Sequence, residues 1–318
     1  LAPLHRARHL ARAVPEDALR EADLVVALDC HFADALRRMR PRRLLYLSLS
    51  CTPRQEWFAA SSGAQVGLTF LQYAWLERRV VSAADRVIVA SETHAAEMRR
   101  FDLMPAFRPL VLHPAFPPSV IPVPRRVPDG RPVTILGAGR LEPGKNFAAA
   151  LELAARLKDC SCRFVIAGDG PELGRLQAKA AALGVGDRVT FAGSVVPSLD
   201  ALLAETDLFL HTSLYESFGI APFEAMRAGV PPVCGKGRRV VAGCAEIMQD
   251  GVDSLFIDLD QPAAGGEALR RLVVDRKWRE RMGEAARASA ERVLANDYTA
   301  AFRRVVGDLL APAVAARP

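Results

Sequence analysis

A dense run of prolines divides this sequence into two parts. Seven prolines lie between positions 114 and 132, and proline can continue neither a helix nor a central strand. On both sides of this run, short apolar stretches alternate with stretches of helical periodicity, as residues 133–137 and then 147–157 do. Such alternation predicts an α/β chain in which a linker joins two doubly wound parallel sheets.

The chain length supports the same division, because 318 residues are enough for two domains of ordinary size. We place the first domain at residues 1–122, the linker at 123–132 and the second domain at 133–295. Residues 296–318 contain a last predicted helix. The first strand of the first domain is expected at residues 23–29, after a helical stretch.

Composition argues against several classes of protein. Hydrophobic residues make up 50% of the chain and charged residues 25%, which is typical of a globular protein and not of a disordered one. No apolar run approaches the roughly 20 residues that a membrane span needs, and no signal peptide is visible. The six cysteines are too scattered for a disulfide framework and lack the spacing of a zinc finger. We therefore expect reduced cysteines and a cytoplasmic protein.

The net charge is +6, and arginines are clustered, most densely in residues 37–43. A basic face of this kind would favour peripheral association with anionic lipid at the inner face of a membrane. Solvated helix faces produce such clusters as well. Nucleic acid is not an expected partner, because the sequence has no basic stripe interleaved with aromatic residues and no groove-reading module.

One segment of the second domain has the pattern of an anion-binding site. An apolar, strand-like run at residues 208–210 comes first, and residues 218–228 are predicted to form a short helix. Gly229 provides a left-handed stop for this helix, and Pro231 prevents its continuation. A helix that follows a strand in this way points free backbone N–H groups at the edge of the sheet, where an anion can bind.

Two carboxylates flank this predicted anion site. Glu216 precedes the helix and Glu224 lies within it. Ionised carboxylates only accept hydrogen bonds, so they are suited to binding sugar hydroxyls. The pattern therefore predicts a ligand that has a phosphate with hydroxyl-rich groups on either side.

A glycine-rich loop follows the first strand of the second domain. In this loop Arg140 offers a planar fork for phosphate oxygens, and Lys145 adds a point charge. Charge-assisted hydrogen bonds of this kind contribute about 1.5–3 kcal/mol each, which together with a helix N-terminus suffices to bind a diphosphate. Asn146 is predicted to cap the helix that follows. A second turn, residues 168–172, is a weaker indication of a site, because Asp-Gly-Pro is simply a good turn sequence.

Together these motifs resemble the donor-site signature of retaining glycosyltransferases with the GT-B fold, glycosyltransferase family 4 (glycosyl transferases group 1). The resemblance rests on two glutamates separated by seven residues, on Phe-Gly after the first, and on Glu-Ala-Met-x-Ala-Gly-x-Pro from the second. The Arg-Leu-x-x-x-Lys-Asn element at residues 140–146 and Gly-Asp-Gly-Pro-Glu at residues 168–172 extend it. It implies two Rossmann-like domains facing a cleft, with the last helix returning to the first domain.

The resemblance also implies an activity and a site. The enzyme would be a hexosyltransferase-type glycosyltransferase that moves a sugar, with retention, from a nucleotide-diphosphate donor to a cell-envelope glycan or lipid-linked sugar. The implied catalytic residues are Glu216 on the transferred sugar and Arg140 and Lys145 on the diphosphate. The implied donor-binding residues are Gly139, Gly168, Gly170, Ser217, Phe218, Gly219, Ile220 and Glu224, the last on the ribose. Neither a metal nor a further cofactor is expected, because the cations and the helix dipole stabilise the leaving diphosphate.

The first domain departs from the family pattern. No strand and glycine-rich loop precede Asp23, so this domain is expected to be shortened at its N-terminus. A histidine that the family places near the reacting sugar has no counterpart at residues 50–54. His31 is the nearest substitute, and we interpret it as a surface histidine that caps a helix. These departures favour one alternative, a nucleotide-sugar-binding remnant with impaired catalysis. A second alternative is a sugar-nucleotide epimerase of the same fold, which would need acid/base residues in the cleft.

Overall fold

The computed structural model describes residues 14–48, 68–101, 106–114, 130–195 and 199–311. The chain forms two compact units, Leu1–Ala115 together with Asp297–Pro318, and Phe116–Asn296. Most of the helical stretch expected at the start, the segment 50–54 and most of the proline-rich linker lie outside the described residues.

The first unit contains a four-stranded parallel sheet. Its strands are β1 (Val25–Ala27), β2 (Leu44–Ser48), β3 (Arg86–Val89) and β4 (Leu110–Val111), which pair in that order. The accompanying helices are α1 (Glu16–Glu21), α2 (Cys30–Arg37), α3 (Leu68–Ala83) and α4 (Glu92–Phe101). Every residue of β2 is buried, as is typical of a parallel strand with both faces covered.

The second unit contains a six-stranded parallel sheet. Its strands are β5 (Val133–Ala138), β6 (Cys162–Ala167), β7 (Val189–Gly193), β8 (Leu208–His211), β10 (Pro232–Lys236) and β12 (Leu255–Asp258). A separate small sheet pairs β9 (Tyr215–Glu216) with β11 (Val241–Ala242). The helices are α5 (Phe147–Arg156), α6 (Leu173–Ala182), α7 (Asp200–Leu203), α8 (Ile220–Arg227), α9 (Pro262–Val274) and α10 (Arg276–Leu294).

The strand order of the six-stranded sheet determines where a ligand can bind. Across the sheet the order is β12-β10-β8-β5-β6-β7. The chain therefore builds outward from β5 through β6 and β7, then returns to the other side of β5 and continues through β8, β10 and β12. In doubly wound sheets, the crevice at the carboxyl ends of the strands on either side of such a reversal is where ligands bind. Here that point lies between β5 and β8.

Helix α5 shows how the sequence holds the loop after β5 in place. Phe147, Leu151 and Ala154 recur on one side of this helix and are buried in the core of the second unit. Burying a side chain such as leucine or phenylalanine contributes roughly 1.5–3 kcal/mol. The prediction that Asn146 caps this helix with its side chain is wrong, because Asn146 adopts a left-handed backbone (φ 51°) and makes no capping hydrogen bond. It ends the short 3₁₀ helix Pro143–Lys145 instead, and asparagine tolerates that conformation better than most residues.

The last helix, α11 (Tyr298–Leu310), belongs to the first unit. Its Leu309 is part of a buried cluster with Leu45 and Ile88 of the parallel sheet. In addition, Arg43 Nε donates a hydrogen bond of 3.1 Å to the carbonyl oxygen of Leu309. The end of the chain therefore contributes to the core of the unit in which the chain begins.

The expected α/β class with two parallel sheets is confirmed. The reversal of strand order that marks a doubly wound sheet is present in the second unit, whereas the described strands of the first unit pair in chain order. Helix α8 is shorter than the predicted range 218–228. The pairing of β9 with β11 was not predicted, since strands of two residues are too short to show an alternating pattern. All five cysteines that the structure describes are buried free thiols. Within the described residues, no helix has both the length and the apolar character needed to cross a bilayer.

Candidate functional site

The candidate site lies where the loops after β5 and β8 meet. The two strands are paired, with Ile135 opposite Leu208, so their carboxyl ends share one edge of the sheet. Two hydrogen bonds connect the loops beyond them. Leu214 N donates to Gly144 O over 2.8 Å, and Thr212 Oγ1 donates to the backbone oxygen of Lys145 over 3.1 Å. These bonds hold the loop that carries Lys145 against the segment that carries Glu216.

At this junction Lys145 and Glu216 form an ion pair. Lys145 Nζ donates to Glu216 Oε1 over 2.5 Å, and the side chains are 24% and 15% exposed, respectively. The aliphatic part of Lys145 runs alongside Gly139, since a Cβ added to Gly139 would lie 3.6 Å from Lys145 Cδ. The structure thus brings together two of the three residues predicted to be catalytic.

A third ionisable group of this site, His211, was not predicted. It is the last residue of β8 and is only 5% exposed, with Nε2 3.8 Å from Glu216 Oε1. Among the described residues, Nε2 has no hydrogen-bond partner. Burial lowers the pKa of His211; the Glu216 charge opposes this effect and the Lys145 charge adds to it. The sequence held one hint, a polar residue at the end of an otherwise apolar strand.

The same neighbours control the charge of Glu216. Burial acts to raise the pKa of Glu216, but His211 and Lys145 outweigh that effect, and the pKa is lowered. A hydrogen bond with Ser213 acts in the same direction. Glu216 is therefore a carboxylate that stays ionised although it is largely buried.

The start of helix α8 adjoins Glu216 in the chain. Gly219 precedes the helix with φ 96°, a conformation that glycine adopts without strain. A Cβ at Gly219 would lie 3.0 Å from Cys244 Cβ, so a side chain there would also press against this neighbour. Phe218 is buried and packs edge-on against Phe223 at 5.9 Å between ring centroids. Ser217 is buried as well, whereas Ile220 is exposed.

Glu224, the second predicted acid, lies in a different electrostatic setting. It is within helix α8, and burial raises its pKa. The nearby Asp200 charge raises it further, and Arg227 opposes both effects. The charges that act on Glu224 are thus not those that act on Glu216, and the two acids have pKa values shifted in opposite directions.

The predicted turn at residues 168–172 closes onto the loop after β5. Leu141 N donates to Asp169 O, and Glu172 N donates to Leu141 O, both over 2.9 Å. Gly168 has φ 144°, and a Cβ there would clash with the backbone oxygen of Gly139. A Cβ at Gly170 would lie 2.5 Å from Leu141 O. Both glycines are therefore needed for the close contact between the turn and this loop.

Arg140 is placed differently from the other predicted catalytic residues. Its side chain is 78% exposed, and Nε lies 3.6 Å from Glu142 Oε2. An exposed ion pair of this kind contributes little stability. The side chain is therefore free to reorient at small cost.

The first unit has its own cluster of ionisable groups, at the carboxyl end of β1. Asp29, Cys30 and His31 place their potential ligand atoms within 4.8 Å of one another, which makes them the one group with metal-ligand geometry among the residues the structure describes. Asp29 Oδ1, however, already accepts hydrogen bonds from the backbone N–H groups of His31 and Phe32, both over 2.9 Å. The cluster is explained by capping of helix α2. Our expectation for His31 is wrong, because His31 is buried and Asp29 is the cap.

A family profile described as "Glycosyl transferases group 1" matches residues 124–289. The chain is 31% identical over 229 residues to an alpha-D-kanosaminyltransferase from Streptomyces kanamyceticus, covering 67% of this chain and 57% of that protein. It is 30% identical over 258 residues to a D-inositol 3-phosphate glycosyltransferase from Paenarthrobacter aurescens, covering 74% of this chain and 61% of that protein. The chain thus spans little more than half the length of these relatives.

Solved structures resemble most of the chain. A sucrose-phosphate synthase from Thermosynechococcus elongatus has a TM-score of 0.79 at 19% identity, with 96% of this chain and 78% of that chain covered. HepE from Anabaena, solved in complex with UDP and glucose, has a TM-score of 0.73 at 20% identity, with 96% and 82% covered. At these identities the likeness concerns the fold. It confirms the expected GT-B class.

Proposed function

Because the chain belongs to the glycosyl transferases group 1 family, we propose that it transfers a sugar, with retention, from a nucleotide-diphosphate donor to a glycan or lipid-linked acceptor. The observation that supports this proposal most directly is the Lys145–Glu216 pair at the reversal of strand order between β5 and β8. A cation for a diphosphate and an acid for sugar hydroxyls are thereby held side by side at the edge where such sheets bind ligands.

In this proposal the diphosphate binds to Lys145, Arg140 and the first N–H groups of helix α8. Arg140 is exposed, and within the part of the chain that the structure describes its ion pair is a surface contact with Glu142, so it reorients toward phosphate oxygens at little cost. Gly139 lets the diphosphate come close to the backbone beside Lys145. Ser217, Phe218, Gly219 and Ile220 form the approach to the helix N-terminus, which favours negative charge.

The two acids bind the hydroxyl-rich groups at the two ends of the donor. Glu216 accepts hydrogen bonds from the transferred sugar, for which its ionised state is suited. Glu224 accepts hydrogen bonds from the ribose. The turn of Gly168 and Gly170 holds the loop after β5 in position and borders the nucleotide.

Catalysis in this proposal is electrostatic. When the bond between the sugar and the diphosphate breaks, negative charge grows on the leaving diphosphate. Lys145 and Arg140 stabilise that charge once they contact the diphosphate, as cations and dipoles directed at a developing charge do in many enzymes. These groups replace a metal ion, so the reaction requires neither a metal nor a further cofactor.

Association with an anionic membrane would depend on a positively charged surface of the protein. The arginine cluster at residues 37–43 suggested it, but several of these cations have acidic partners. Arg37 and Arg38 lie 3.0 and 3.3 Å from Asp34, and Arg42 lies 3.0 Å from Asp23. Such pairing reduces the net positive charge that the cluster presents. Co-sedimentation with vesicles that contain anionic lipid, compared with neutral vesicles, tests this part by itself.

A thermal-shift panel tests the donor assignment. UDP, GDP and ADP, each with and without an attached sugar, are added to the protein, with the corresponding nucleosides as controls. A ligand at 100 times its Kd stabilises the folded state by about 2.7 kcal/mol, so one diphosphate series should raise the melting temperature and its nucleoside should not. UDP is the first choice, since HepE was solved with UDP. If no diphosphate shifts the transition, the proposed function is wrong.

If one does, product analysis with the stabilising donor separates transfer from epimerisation and from binding alone.

A further inference from the structure

Glu216 Oε1 has two basic groups beside it. Lys145 Nζ lies 2.5 Å away and His211 Nε2 lies 3.8 Å away. The first distance is a hydrogen bond, whereas the second exceeds the range of one. His211 is therefore near the carboxylate but is not its main partner in the structure. Its side chain is polar and only 5% exposed, whereas the other three residues of β8 are apolar.

The titratable groups that face His211 come from three segments. Glu216 reaches it from β9 and Lys145 from the 3₁₀ helix after β5, and these act on its pKa in opposite directions. On the neighbouring strand β10, Cys234 is paired in register with His211. The pKa of the Cys234 thiol is raised well above its usual value by a hydrogen bond with Cys244 and by burial. This thiol stays neutral, so the imidazole responds to Glu216 and Lys145.

We infer that His211 is a positioning residue that takes over from Lys145 as the counter-ion of Glu216 when a donor diphosphate binds Lys145. This inference rests on the proposed function, in which the diphosphate draws the Lys145 ammonium toward its own oxygens. Glu216 then loses its closest cation, and the negative charge near His211 grows. The imidazole takes up one proton from the solvent and, as imidazolium, holds the Glu216 carboxylate toward the sugar.

The direction of the proton uptake follows from the surrounding charges. In the structure burial and Lys145 both lower the pKa of His211. A bound diphosphate cancels the effect of Lys145 and adds negative charge, so the pKa of His211 is higher in the complex. Linkage then requires donor affinity to rise as the pH falls between the two pKa values, by at most about tenfold per pH unit for one proton.

Isothermal titration calorimetry measures this proton directly. The nucleoside diphosphate identified by the thermal-shift panel is titrated in buffers of different ionisation enthalpy, with the wild-type protein and with His211→Gln. His31→Gln is the matched control, because His31 is equally buried and also lies beside a carboxylate, in the other unit. The wild type and the His31→Gln variant should take up the same fraction of a proton, and His211→Gln should take up less. Ionisation of the nucleotide itself is common to all three proteins and cancels in the comparison.

Equal proton uptake by the wild type and His211→Gln would overturn the inference. A second experiment covers the case in which that variant does not fold. In Lys145→Met the lysine charge is absent, and the pKa of His211, followed by NMR of the labelled imidazole, should be higher than in the wild type. An unchanged pKa would overturn the inference as well. This experiment needs no nucleotide, so it still measures the coupling if no nucleoside diphosphate binds and the proposed function fails.

Discussion

At the carboxyl edge of each of the two sheets, a buried histidine lies beside a carboxylate. In the first unit His31 Nδ1 is 3.6 Å from Asp29 Oδ1, and in the second His211 Nε2 is 3.8 Å from Glu216 Oε1. The two acids differ in what they bind. Asp29 is 55% exposed and accepts hydrogen bonds from two backbone N–H groups at the start of α2. Glu216 is largely buried and is hydrogen-bonded to the side chain of Lys145 from another segment.

The difference shows how the same pair of residue types serves two purposes. A carboxylate that binds its own helix N-terminus satisfies backbone groups that would otherwise lack partners, and it stabilises the fold. A carboxylate held by cationic side chains from other segments can exchange those partners for a ligand. The surrounding backbone, and not the residue types alone, separates a capping acid from a candidate catalytic acid.

The largest expected effect comes from neutralising each acid in turn. Glu216→Gln keeps the shape of the side chain but removes its charge, so turnover of the donor should fall by at least the roughly 10²–10³-fold seen when one electrostatic contact to a transition state is removed. Asp29→Asn is the matched control, since asparagine also caps helices well, and it should retain turnover. Steady-state kinetics with the donor identified by thermal shift gives both values. Equal losses of turnover in the two variants would show that the Glu216 charge matters no more for the reaction than the Asp29 charge.

A smaller effect is expected from Lys145→Ala. A charge-assisted hydrogen bond contributes about 1.5–3 kcal/mol, so the Kd for the nucleoside diphosphate should rise roughly 10- to 100-fold. Lys179→Ala is the matched control, because Lys179 Nζ also bonds a glutamate, Glu152, over 2.6 Å in the same unit. Calorimetry of both variants should show weaker binding only for Lys145→Ala, with similar melting temperatures. Unchanged binding in Lys145→Ala would mean that this lysine pairs with Glu216 but does not bind the diphosphate.

The sequence was sufficient to predict much of the second unit. Gly139, Lys145 and Glu216 stand in short motifs next to strong strand and helix patterns, so their meeting at one edge followed from the α/β topology. His211 was missed because its role depends on a distance between two segments, which no local pattern contains. Likewise, Asn146 had the residue type of a side-chain cap, but the preceding 3₁₀ helix set its backbone.

The first unit was harder to predict for a physical reason. His31 was expected at the surface because it follows a strand and starts a helix, where histidines are often solvated. Its burial depends on packing against Tyr73 of α3, whose ring centroid is 5.5 Å away. That contact joins residues more than forty positions apart, and periodicity within a segment does not report it.

An intermediate effect, now on stability, is expected for the glycine turn of the second unit. Gly168→Ala places a methyl group against Gly139 O in a backbone conformation that alanine rarely adopts, at a cost of about 1–3 kcal/mol. Gly174→Ala is the control, since Gly174 lies in α6 and a Cβ there meets nothing within 4 Å. That variant should be more stable by about 0.4–1 kcal/mol, since alanine loses less backbone freedom on folding. Thermal denaturation of both variants measures the difference, and equal melting temperatures would mean that the turn does not depend on its contact with the loop after β5.

The smallest effect, on the pH dependence of stability, is expected for a substitution of Asp29. Burial acts to raise the pKa of Asp29, but hydrogen bonds from His31 and from the Phe32 backbone outweigh it and lower the pKa. A carboxyl group with a lowered folded-state pKa stabilises the protein above its unfolded pKa, near 3.9, and loses this contribution as the pH falls through the folded pKa. Asp29→Ala should therefore cost about 0.5–2 kcal/mol at pH 7, and the difference from the wild type should shrink in acid. Denaturation of the two proteins from neutral to acidic pH measures this. A difference that stayed constant would show that the Asp29 charge, unlike that of Glu216, has no part in its contacts.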